Sequence, residues 1–255
     1  MTGCGDESRV ALVTGASYGV GAECALALGR AGFRLAITAT RSSSLLAVLD
    51  KLRPIGTEAL SLNLDLRSHQ NIEECAAVVL AHFGRIDVLV NNAAANLRRK
   101  AIDVTRSEWD DVIATNLTGT FFLTQQVGRH LIGRGAQGQV VTIASAHAFV
   151  GAVARSVYGI SKAGLVQMTR MLAIEWAQHG ITVNAVAPGR MITESPSRAT
   201  TGSDTTYMEE MLKRIPLHRL ATAEEVAAAV AFLVSPAARS ITGQTIILDG
   251  GLTAS

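Results

Sequence analysis

The fold is decided by the stretch Val10-Ala11-Leu12-Val13-Thr14-Gly15-Ala16-Ser17-Tyr18-Gly19-Val20-Gly21. An apolar run is stopped by a turn with three glycines, and residues 22–30 then have helical composition, so the pattern predicts strand, turn and helix. Glycine lets the backbone adopt positive φ and approach a ligand closely, and a helix start presents unpaired N–H groups to an anion. The turn is therefore shaped for a pyrophosphate, although a tight connection without a ligand would show the same pattern. The candidate residues are Gly15, Ser17, Tyr18, Gly19, Val20 and Gly21.

Length and composition limit the classes of protein to which this chain can belong. The 255 residues are 48% apolar and 17% charged, and no stretch resembles a linker, so we expect a globular chain with a sizeable core. The formal net charge is only +2 with scattered Lys and Arg, which disfavours nucleic acid as a partner. No apolar run is long enough to cross a bilayer and no charged leader precedes an apolar core, so we expect neither membrane insertion nor export.

The three cysteines are Cys4, Cys24 and Cys75, and they lack the spacing of metal ligands. Cys24 and Cys75 have apolar neighbours in predicted helices, so we interpret them as reduced thiols and expect a cytoplasmic protein without a bound metal. Residues 1–8 are polar and contain glycine, and we expect them to be a disordered N-terminus.

Strands and helices alternate along the rest of the chain. Apolar or alternating runs predict further strands at residues 34–39, 59–64, 86–90, 139–144, 181–186 and 244–248. Helical patterns include residues 68–83, 106–131, 156–179 and 222–234, the last with Thr222 as its cap. Crossovers of this kind predict an α/β fold: a doubly wound parallel β-sheet in a Rossmann-like three-layer sandwich, built as a single domain over residues 9–255. In such a sheet, ligands gather at the C-terminal ends of the strands.

The residues after the second and third predicted strands bear on the choice of dinucleotide. Thr40, Arg41 and Ser42 stand where a dinucleotide-binding βαβ unit reads the adenosine ribose. Because this segment has an arginine and no acidic residue, it favours NADP(H), with NAD(H) possible; a merely solvated Arg41 is the alternative. Asp65, followed by Leu66, is placed either to meet an adenine amino group or to cap the next helix.

A phenol and an ammonium come together in the predicted helix over residues 156–179. Tyr158 and Lys162 are four residues apart and so lie on one helix face. A nearby cation favours the phenolate and lowers the pKa of a tyrosine, which suits acid–base chemistry at neutral pH. Ser145 stands just past a strand end and can face the same pocket. Both observations also have a simpler explanation. Tyr–Lys pairs with this spacing occur on many solvated helices, and Ser145 could be a cap or turn residue.

Together these segments resemble the classical single-domain form of the short-chain dehydrogenase/reductase family. The resemblance rests on motifs in the right order and covers nearly the whole chain, residues 10–251. The motifs are Thr14-Gly15-(three residues)-Gly19-Val20-Gly21, Asn91-Asn92-Ala93, Asn116, Ser145, Tyr158-(three residues)-Lys162 and Pro188-Gly189.

An asparagine and a glycine in the middle of the helical stretch over residues 106–131 carry a propensity cost, so we also expect a local distortion there.

The resemblance implies a nicotinamide-dependent oxidoreductase that interconverts a ketone or aldehyde and an alcohol. Tyr158 would be the general acid or base, and Lys162 would hold the nicotinamide ribose and lower the pKa of Tyr158. Ser145 would hydrogen-bond the substrate oxygen, and Asn116 would hold a water in a proton relay. Besides the glycine turn, the resemblance implies cofactor contacts for Asp65, Asn92, Ala93, Tyr158, Lys162, Pro188, Gly189 and Thr193, the last at the nicotinamide carboxamide.

Two positions depart from the family pattern. Ala94 replaces the glycine that usually follows Asn91-Asn92-Ala93, a small change that should only tighten the loop. Tyr18 stands where NADP-preferring members often carry a basic residue. This second departure weakens the expectation of NADP(H) without reversing it.

The resemblance places the substrate against Asn96, Arg98, His147 and Arg155, beneath a lid at about residues 190–215. A solvated or loop-bonded His147, and loop cations that are merely solvated, are the alternatives. Residues 96–100 are similar to the stretch in family members that act on sugar acids such as gluconate, and its cations would suit a carboxylate. The same cations would suit the acidic carrier of a 3-oxoacyl thioester. A catalytically silent dinucleotide-binding sensor and a non-redox reaction are further alternatives, disfavoured by the intact motifs and the short C-terminal region. Residues 239–251 resemble the segment between subunits of family homotetramers, so we expect a homotetramer.

Overall fold

The computed structural model describes residues 8–191 and 212–255. The expectation of a disordered N-terminus over residues 1–8 falls outside this range except at its last residue. The lid expected at about residues 190–215 falls mostly outside it, and so does Thr193.

Seven parallel strands form one sheet, in the order β3-β2-β1-β4-β5-β6-β7. The strands are β1 (Val10–Val13), β2 (Arg34–Ala39), β3 (Ala59–Asn63), β4 (Val88–Asn91), β5 (Gly138–Ile143), β6 (Ile181–Pro188) and β7 (Thr245–Leu248). The chain leaves β3 at one edge and returns to the other side of β1, so the strand order reverses there. A crevice opens at the C-terminal ends of strands at such a point. The predicted doubly wound parallel sheet is confirmed.

Helices occupy the crossovers between strands. They are α1 (Gly19–Arg30), α2 (Leu46–Leu52), α3 (His69–Phe83), α4 (Arg106–Ile113), α5 (Thr120–Gly133), α6 (Ser156–Trp176) and α7 (Ala223–Leu233). The side chains of Ser68, Thr105 and Thr222 accept hydrogen bonds from backbone N–H groups in the first turns of α3, α4 and α7. Thr222 is thus the cap that the sequence predicts. Ser68, and not Asp65, caps α3.

The single helix predicted over residues 106–131 is divided. A π-helical turn, Ala114–Gly119, separates α4 from α5, which confirms the distortion expected in its middle. Close packing is the reason that a glycine stands there: a Cβ at Gly119 would lie 2.0 Å from the carbonyl oxygen of Leu66, just beyond β3. The distorted turn thereby approaches the C-terminal edge of the sheet, where it places Asn116.

Two hydrophobic clusters lie on opposite faces of the sheet and make it the middle of three layers. Along β1, Ala11 and Val13 belong to one cluster and Val10 and Leu12 to the other, as the alternation of a strand requires. Helices α1, α2 and α7 pack into the first cluster, and α3, α5 and α6 into the second. None of the helices in the described ranges combines the length and the apolar character needed to cross a membrane.

Candidate active site

The glycine turn after β1 has the backbone conformation that the sequence predicts. Gly15 and Gly19 adopt positive φ, at 64° and 58°. A Cβ at Gly21 would lie 2.3 Å from the carbonyl oxygen of Gly15, so only glycine allows the start of α1 to pack on the turn. At Gly19, by contrast, an added Cβ would meet no atom within 4 Å, which leaves open space beside the helix start.

Thr14 and Asn92 hold this turn against the end of β4. The Asn92 Nδ2 group donates to the carbonyl oxygens of Thr14 and Gly15, at 3.0 and 2.9 Å. In return, Thr14 Oγ1 accepts from the backbone N–H groups of Asn92 and Ala93, at 2.9 and 3.0 Å. Asn92 therefore supports the turn with its side chain, next to the place expected for the cofactor. The matching contribution of Thr14 was not recognised from the sequence, although a hydroxyl at the end of a strand was a usable signal.

The site fits the pyrophosphate of a dinucleotide. Tyr18 is the N-cap residue of α1, and its side chain does not cap the helix, so that side chain leaves the first N–H groups for another acceptor. An anion at this position would also interact favourably with the helix dipole. Ser17, Tyr18 and Val20 flank the two positive-φ glycines, and the open space at Gly19 is where the ligand would approach.

At the expected ribose site, Thr40 and Arg41 are exposed at the end of β2. The backbone N–H of Ser42 donates to Asn63 Oδ1 at 2.6 Å, which fixes the loop but uses that donor. The exposed Arg41 places a cation at this end of the site.

Asp65 lies after β3 as predicted, but its carboxylate already has a partner. Arg67 donates to both carboxylate oxygens, from Nε at 3.0 Å and from Nη2 at 2.8 Å. These hydrogen bonds lower the pKa of Asp65 below its ordinary value. Leu66, next in the chain, is buried beneath the π-helical turn. An adenine amino group would therefore have to share the carboxylate with Arg67.

Lys162 and Tyr158 face each other on α6, as the four-residue spacing predicts. Lys162 is 2% exposed, and its Nζ donates to the carbonyl oxygen of Ile143 at 2.7 Å. The same Nζ lies 5.7 Å from the centroid of the Tyr158 ring. Burial lowers the pKa of Lys162 to about 8, so the ammonium is still charged at neutral pH.

Ser145 and His147 lie beyond β5 on the same side of the sheet. Ser145 is buried, and its Oγ accepts from the backbone N–H of His147 at 3.2 Å, so it is a cap residue of a short 3₁₀ turn. The His147 ring stands edge-on to the Tyr158 ring, with centroids 6.3 Å apart. Burial lowers the pKa of His147, and the charge of Arg155 lowers it further. Both the cap interpretation and the shared-pocket interpretation of Ser145 are compatible with this geometry.

Asn116 is fully buried in the π-helical turn, and its side chain links two other segments. Its Oδ1 accepts from the backbone N–H of Ala95 at 2.7 Å. Its Nδ2 donates to the carbonyl oxygen of Ala95 at 2.9 Å and to Ser161 Oγ at 3.0 Å. The side chain thus joins the loop after β4 to α6, one residue before Lys162. Its role in a proton relay stays a prediction.

The two loops expected to contact substrate are bonded to each other. Arg155 Nη1 donates to Asn96 Oδ1 and to the carbonyl oxygen of Leu97, the latter at 3.4 Å. Arg99, in the same stretch, pairs with Glu108 at 2.7 Å, whereas Arg98 is exposed. Of the four predicted substrate residues, His147 and Arg155 lie beside Tyr158 and Asn96 is bonded to Arg155, whereas Arg98 makes no contact among the described residues that places it in the same region.

The end of β6 lies at the C-terminal edge of the sheet, next to the end of β7. Pro188 is its last residue, and the backbone N–H of Gly189 donates to the carbonyl oxygen of Leu248 at 2.8 Å. A Cβ at Gly189 would lie 2.8 Å from Asp249 Cα, so the two segments pass very close together. In the part of the chain that the structure describes, no group of three or more His, Cys, Asp or Glu residues is arranged to hold a metal ion.

Comparison with known proteins finds relatives along nearly the whole chain. A family model described as Enoyl-(Acyl carrier protein) reductase matches residues 15–253. The 2-dehydro-3-deoxy-D-gluconate 5-dehydrogenase of Escherichia coli (strain K12) is 36% identical over 245 residues, which cover 96% of this chain and 95% of that protein. The NAD-dependent glycerol dehydrogenase of Listeria innocua is 37% identical, with 96% and 94% covered. The crystal structure of a substituted actinorhodin polyketide ketoreductase with NADPH has a TM-score of 0.91 at 37% identity, with 98% and 99% covered.

The chain therefore belongs to the short-chain dehydrogenase/reductase family. It is an oxidoreductase that acts on CH–OH groups, and its cofactor is a nicotinamide dinucleotide. These findings confirm the predicted family, fold class and enzyme class.

Proposed function

We propose that this protein interconverts a ketone or aldehyde and the corresponding alcohol, with Tyr158 as general acid in reduction and general base in oxidation. The observation that carries the proposal is the buried Lys162 ammonium, held by Ile143 at 5.7 Å from the Tyr158 ring centroid. A fixed cation at this distance favours the phenolate and makes the phenol a better acid near neutral pH. The nicotinamide, when bound, supplies or accepts the hydride.

Ser145 orients the substrate oxygen towards Tyr158. Its Oγ already accepts one hydrogen bond from His147, and a hydroxyl also carries one O–H donor, which is suited to a carbonyl or alkoxide oxygen. His147 is predominantly neutral at pH 7 because burial lowers its pKa, so it offers substrate a hydrogen bond and not a charge. Asn116 keeps the loop after β4 and α6 in register, and we propose that it also positions a water for proton transfer to Lys162.

We propose NADP(H) as the preferred cofactor, with NAD(H) possible. The exposed Arg41, without an acidic residue beside it in the turn after β2, supports binding of a 2′-phosphate. The named relatives include both an NAD-dependent enzyme and a structure with NADPH, so family membership alone favours neither. We assign Gly15, Gly19, Gly21, Asp65, Asn92 and Gly189 to the cofactor side of the crevice, with Thr193 from outside the described residues.

For the substrate we favour a sugar acid of the gluconate type. The similarity to a 2-dehydro-3-deoxy-D-gluconate 5-dehydrogenase supports this choice, as do the exposed Arg98 and the polar His147 and Arg155 beside Tyr158, with Asn96 bonded to Arg155. A guanidinium suits a carboxylate, and the amide and imidazole suit hydroxyls. A 3-oxoacyl thioester is the second candidate, favoured by the acyl-carrier-protein description of the matching family model.

We further propose a cytoplasmic homotetramer. Apolar side chains are exposed on α5 (Phe121), α6 (Met171 and Ile174) and β7 (Ile247), and Ile174 is 78% exposed. Apolar patches of this kind are typical of surfaces that pack against other copies. Cys24 and Cys75 are free and buried thiols, which suits a reducing compartment.

The test is oxidation of NADPH and of NADH by purified protein against a panel of carbonyl compounds: 5-ketogluconate, an acetoacetyl thioester, a cyclic diketone and an aromatic aldehyde. We expect turnover with 5-ketogluconate and NADPH. Turnover only with the thioester would favour the second candidate. NADPH binding without turnover on any compound would contradict the proposal and support a silent dinucleotide-binding sensor.

A further inference from the structure

Arg155 is the residue before α6, and its guanidinium reaches two parts of the site. Its Cζ atom lies 5.9 Å from the centroid of the Tyr158 ring. Its Nη1 donates to Asn96 Oδ1 and to the carbonyl oxygen of Leu97, in the loop after β4. A single side chain therefore contacts the loop expected to bind substrate and places a positive charge beside the Tyr158 ring.

We propose that Arg155 is a positioning residue with two effects, which are to stabilise the Tyr158 phenolate as a second cation beside Lys162 and to clamp residues 96–97 against the start of α6. The inference rests on the proposed role of Tyr158 as general acid and base. It gives Arg155 a function that does not require contact with substrate.

Charged and titratable groups from several segments lie beside Tyr158. Lys162 lies on α6 itself, His147 on the turn after β5, and Arg155 before α6. Arg190, after β6, contributes a positive charge near His147. The cations among these groups favour the charged form of the phenol.

The two cations nearest the ring lose their charges at different pH values. Burial lowers the pKa of Lys162 to about 8, so this ammonium is progressively neutralised at alkaline pH. A guanidinium stays protonated throughout the accessible range. Alcohol oxidation needs the phenolate as base and is favoured at alkaline pH, where Arg155 would be the cation that remains beside Tyr158.

The clamp is supported by backbone contacts on either side of Arg155. The backbone N–H of Arg99 donates to the carbonyl oxygen of Ala154 at 3.0 Å. Ala154 has φ of 61°, a left-handed conformation that costs a non-glycine residue energy and persists where neighbouring contacts enforce it. The Arg99–Glu108 ion pair ties the same loop to α4. Arg155 thus belongs to a bonded junction between the two loops that border the pocket.

The experiment compares Arg155→Gln, which removes the charge, with Arg155→Lys, which keeps it. Asn96→Ala removes an acceptor of the clamp without touching the charge. Arg106→Gln is the matched control, since it removes an arginine of similar type from the exposed surface of α4. Phenol ionisation is followed by ultraviolet difference absorbance, with Tyr158→Phe as the blank, alongside the pH profile of kcat/KM for alcohol oxidation. Thermal unfolding of each variant verifies that it is folded.

We expect Arg155→Gln to raise the pH at which Tyr158 ionises, and the acidic limb of the profile, by roughly 0.5 to 1 unit, the effect of removing one unit charge from beside a partly solvated phenol. Arg155→Lys should retain most of the wild-type titration. Asn96→Ala should raise KM roughly three- to tenfold, the range for one lost hydrogen bond. It should not shift the acidic limb of the pH profile.

Three results would overturn the inference. The first is an unchanged titration in Arg155→Gln, and the second is an equal shift in Arg106→Gln. The third is an equal shift in Arg155→Lys and Arg155→Gln, which would make the charge irrelevant. Wild-type turnover of Tyr158→Phe is a separate outcome, because it would remove Tyr158 from the mechanism and so contradict the proposed function itself.

Discussion

The Lys162 ammonium donates a hydrogen bond of 2.7 Å to the carbonyl oxygen of Ile143, the last residue of β5. This bond joins the helix that carries Tyr158 to the strand end that precedes Ser145. It also holds a buried positive charge 5.7 Å from the Tyr158 ring centroid. One contact therefore brings three predicted functional residues into a common arrangement, and it does so at the cost of burying a charge.

That cost predicts that Lys162→Met stabilises the ligand-free protein at pH 7. Burial lowers the pKa of Lys162 from its ordinary value of 10.5 to about 8 in the folded chain. At about 1.4 kcal/mol per pKa unit, the buried ammonium costs roughly 3 kcal/mol of unfolding free energy below pH 8. Loss of the charged hydrogen bond to Ile143 removes about 1.5–3 kcal/mol of this gain. We expect the variant to be up to about 1.5 kcal/mol more stable, and to lose most of its turnover.

The pH dependence of this difference follows from the same shift. Between about pH 8 and 10.5 the unfolded chain retains the Lys162 proton and the folded chain does not, so the stability of the wild type rises with pH. The advantage of Lys162→Met should therefore shrink between pH 7 and pH 10. Denaturant unfolding of both proteins at the two pH values measures it. An advantage that is equal at both would contradict burial as the cause.

Tyr158→Phe should keep dinucleotide binding and lose turnover. The ring remains next to Lys162 and His147, and only the proton donor is removed. General acid–base catalysis typically contributes a factor of about 10² to 10⁴, so we expect kcat to fall by that amount. Steady-state kinetics measures the loss, and fluorescence titration with NADPH is the control. Turnover near the wild-type rate would exclude Tyr158 as the general acid.

Arg41→Ala should lower kcat/KM with NADPH and leave the value with NADH within twofold. A hydrogen bond to a charged group is worth about 1.5–3 kcal/mol, which corresponds to a loss of roughly 10- to 150-fold with NADPH. Arg53→Ala is the matched control, because Arg53 is an exposed arginine further along the chain that pairs with Asp50. Equal losses with both cofactors, or none in Arg41→Ala, would show that Arg41 does not read the 2′-phosphate.

The strands, the glycine turn and the Tyr158–Lys162 face could be predicted because local pattern determines them. Alternation specifies a strand, and a four-residue spacing specifies one helix face. The partners of these residues could not be predicted in this way. Asn116 bonds to Ser161, 45 positions away, and Thr14 bonds to Asn92, 78 positions away. Such contacts depend on how the crossovers place distant segments at the C-terminal edge of the sheet.

Asp65 shows the same limit at short range. The sequence left it between an adenine contact and a helix cap, and the structure gives the cap to Ser68 and pairs Asp65 with Arg67. Neighbouring residues along the chain do not reveal which of several polar side chains a carboxylate will meet. Its role towards adenine stays a prediction.

Gly119 and Gly133 offer a final test, because Gly119 lies in the π-helical turn that divides the predicted long helix and Gly133 is the last residue of α5. A Cβ at Gly119 would lie 2.0 Å from the carbonyl oxygen of Leu66, which is backbone and cannot simply turn away. Gly119→Ala should therefore destabilise the protein by about 1–3 kcal/mol or more and displace the turn that holds Asn116, with a loss of turnover. An added Cβ at Gly133 meets nothing within 4 Å, and the residue has ordinary helical φ. Gly133→Ala should instead stabilise by about 0.4–1 kcal/mol with unchanged turnover. Denaturant unfolding measures both, and equal stabilities of the two variants would contradict the close approach to Leu66.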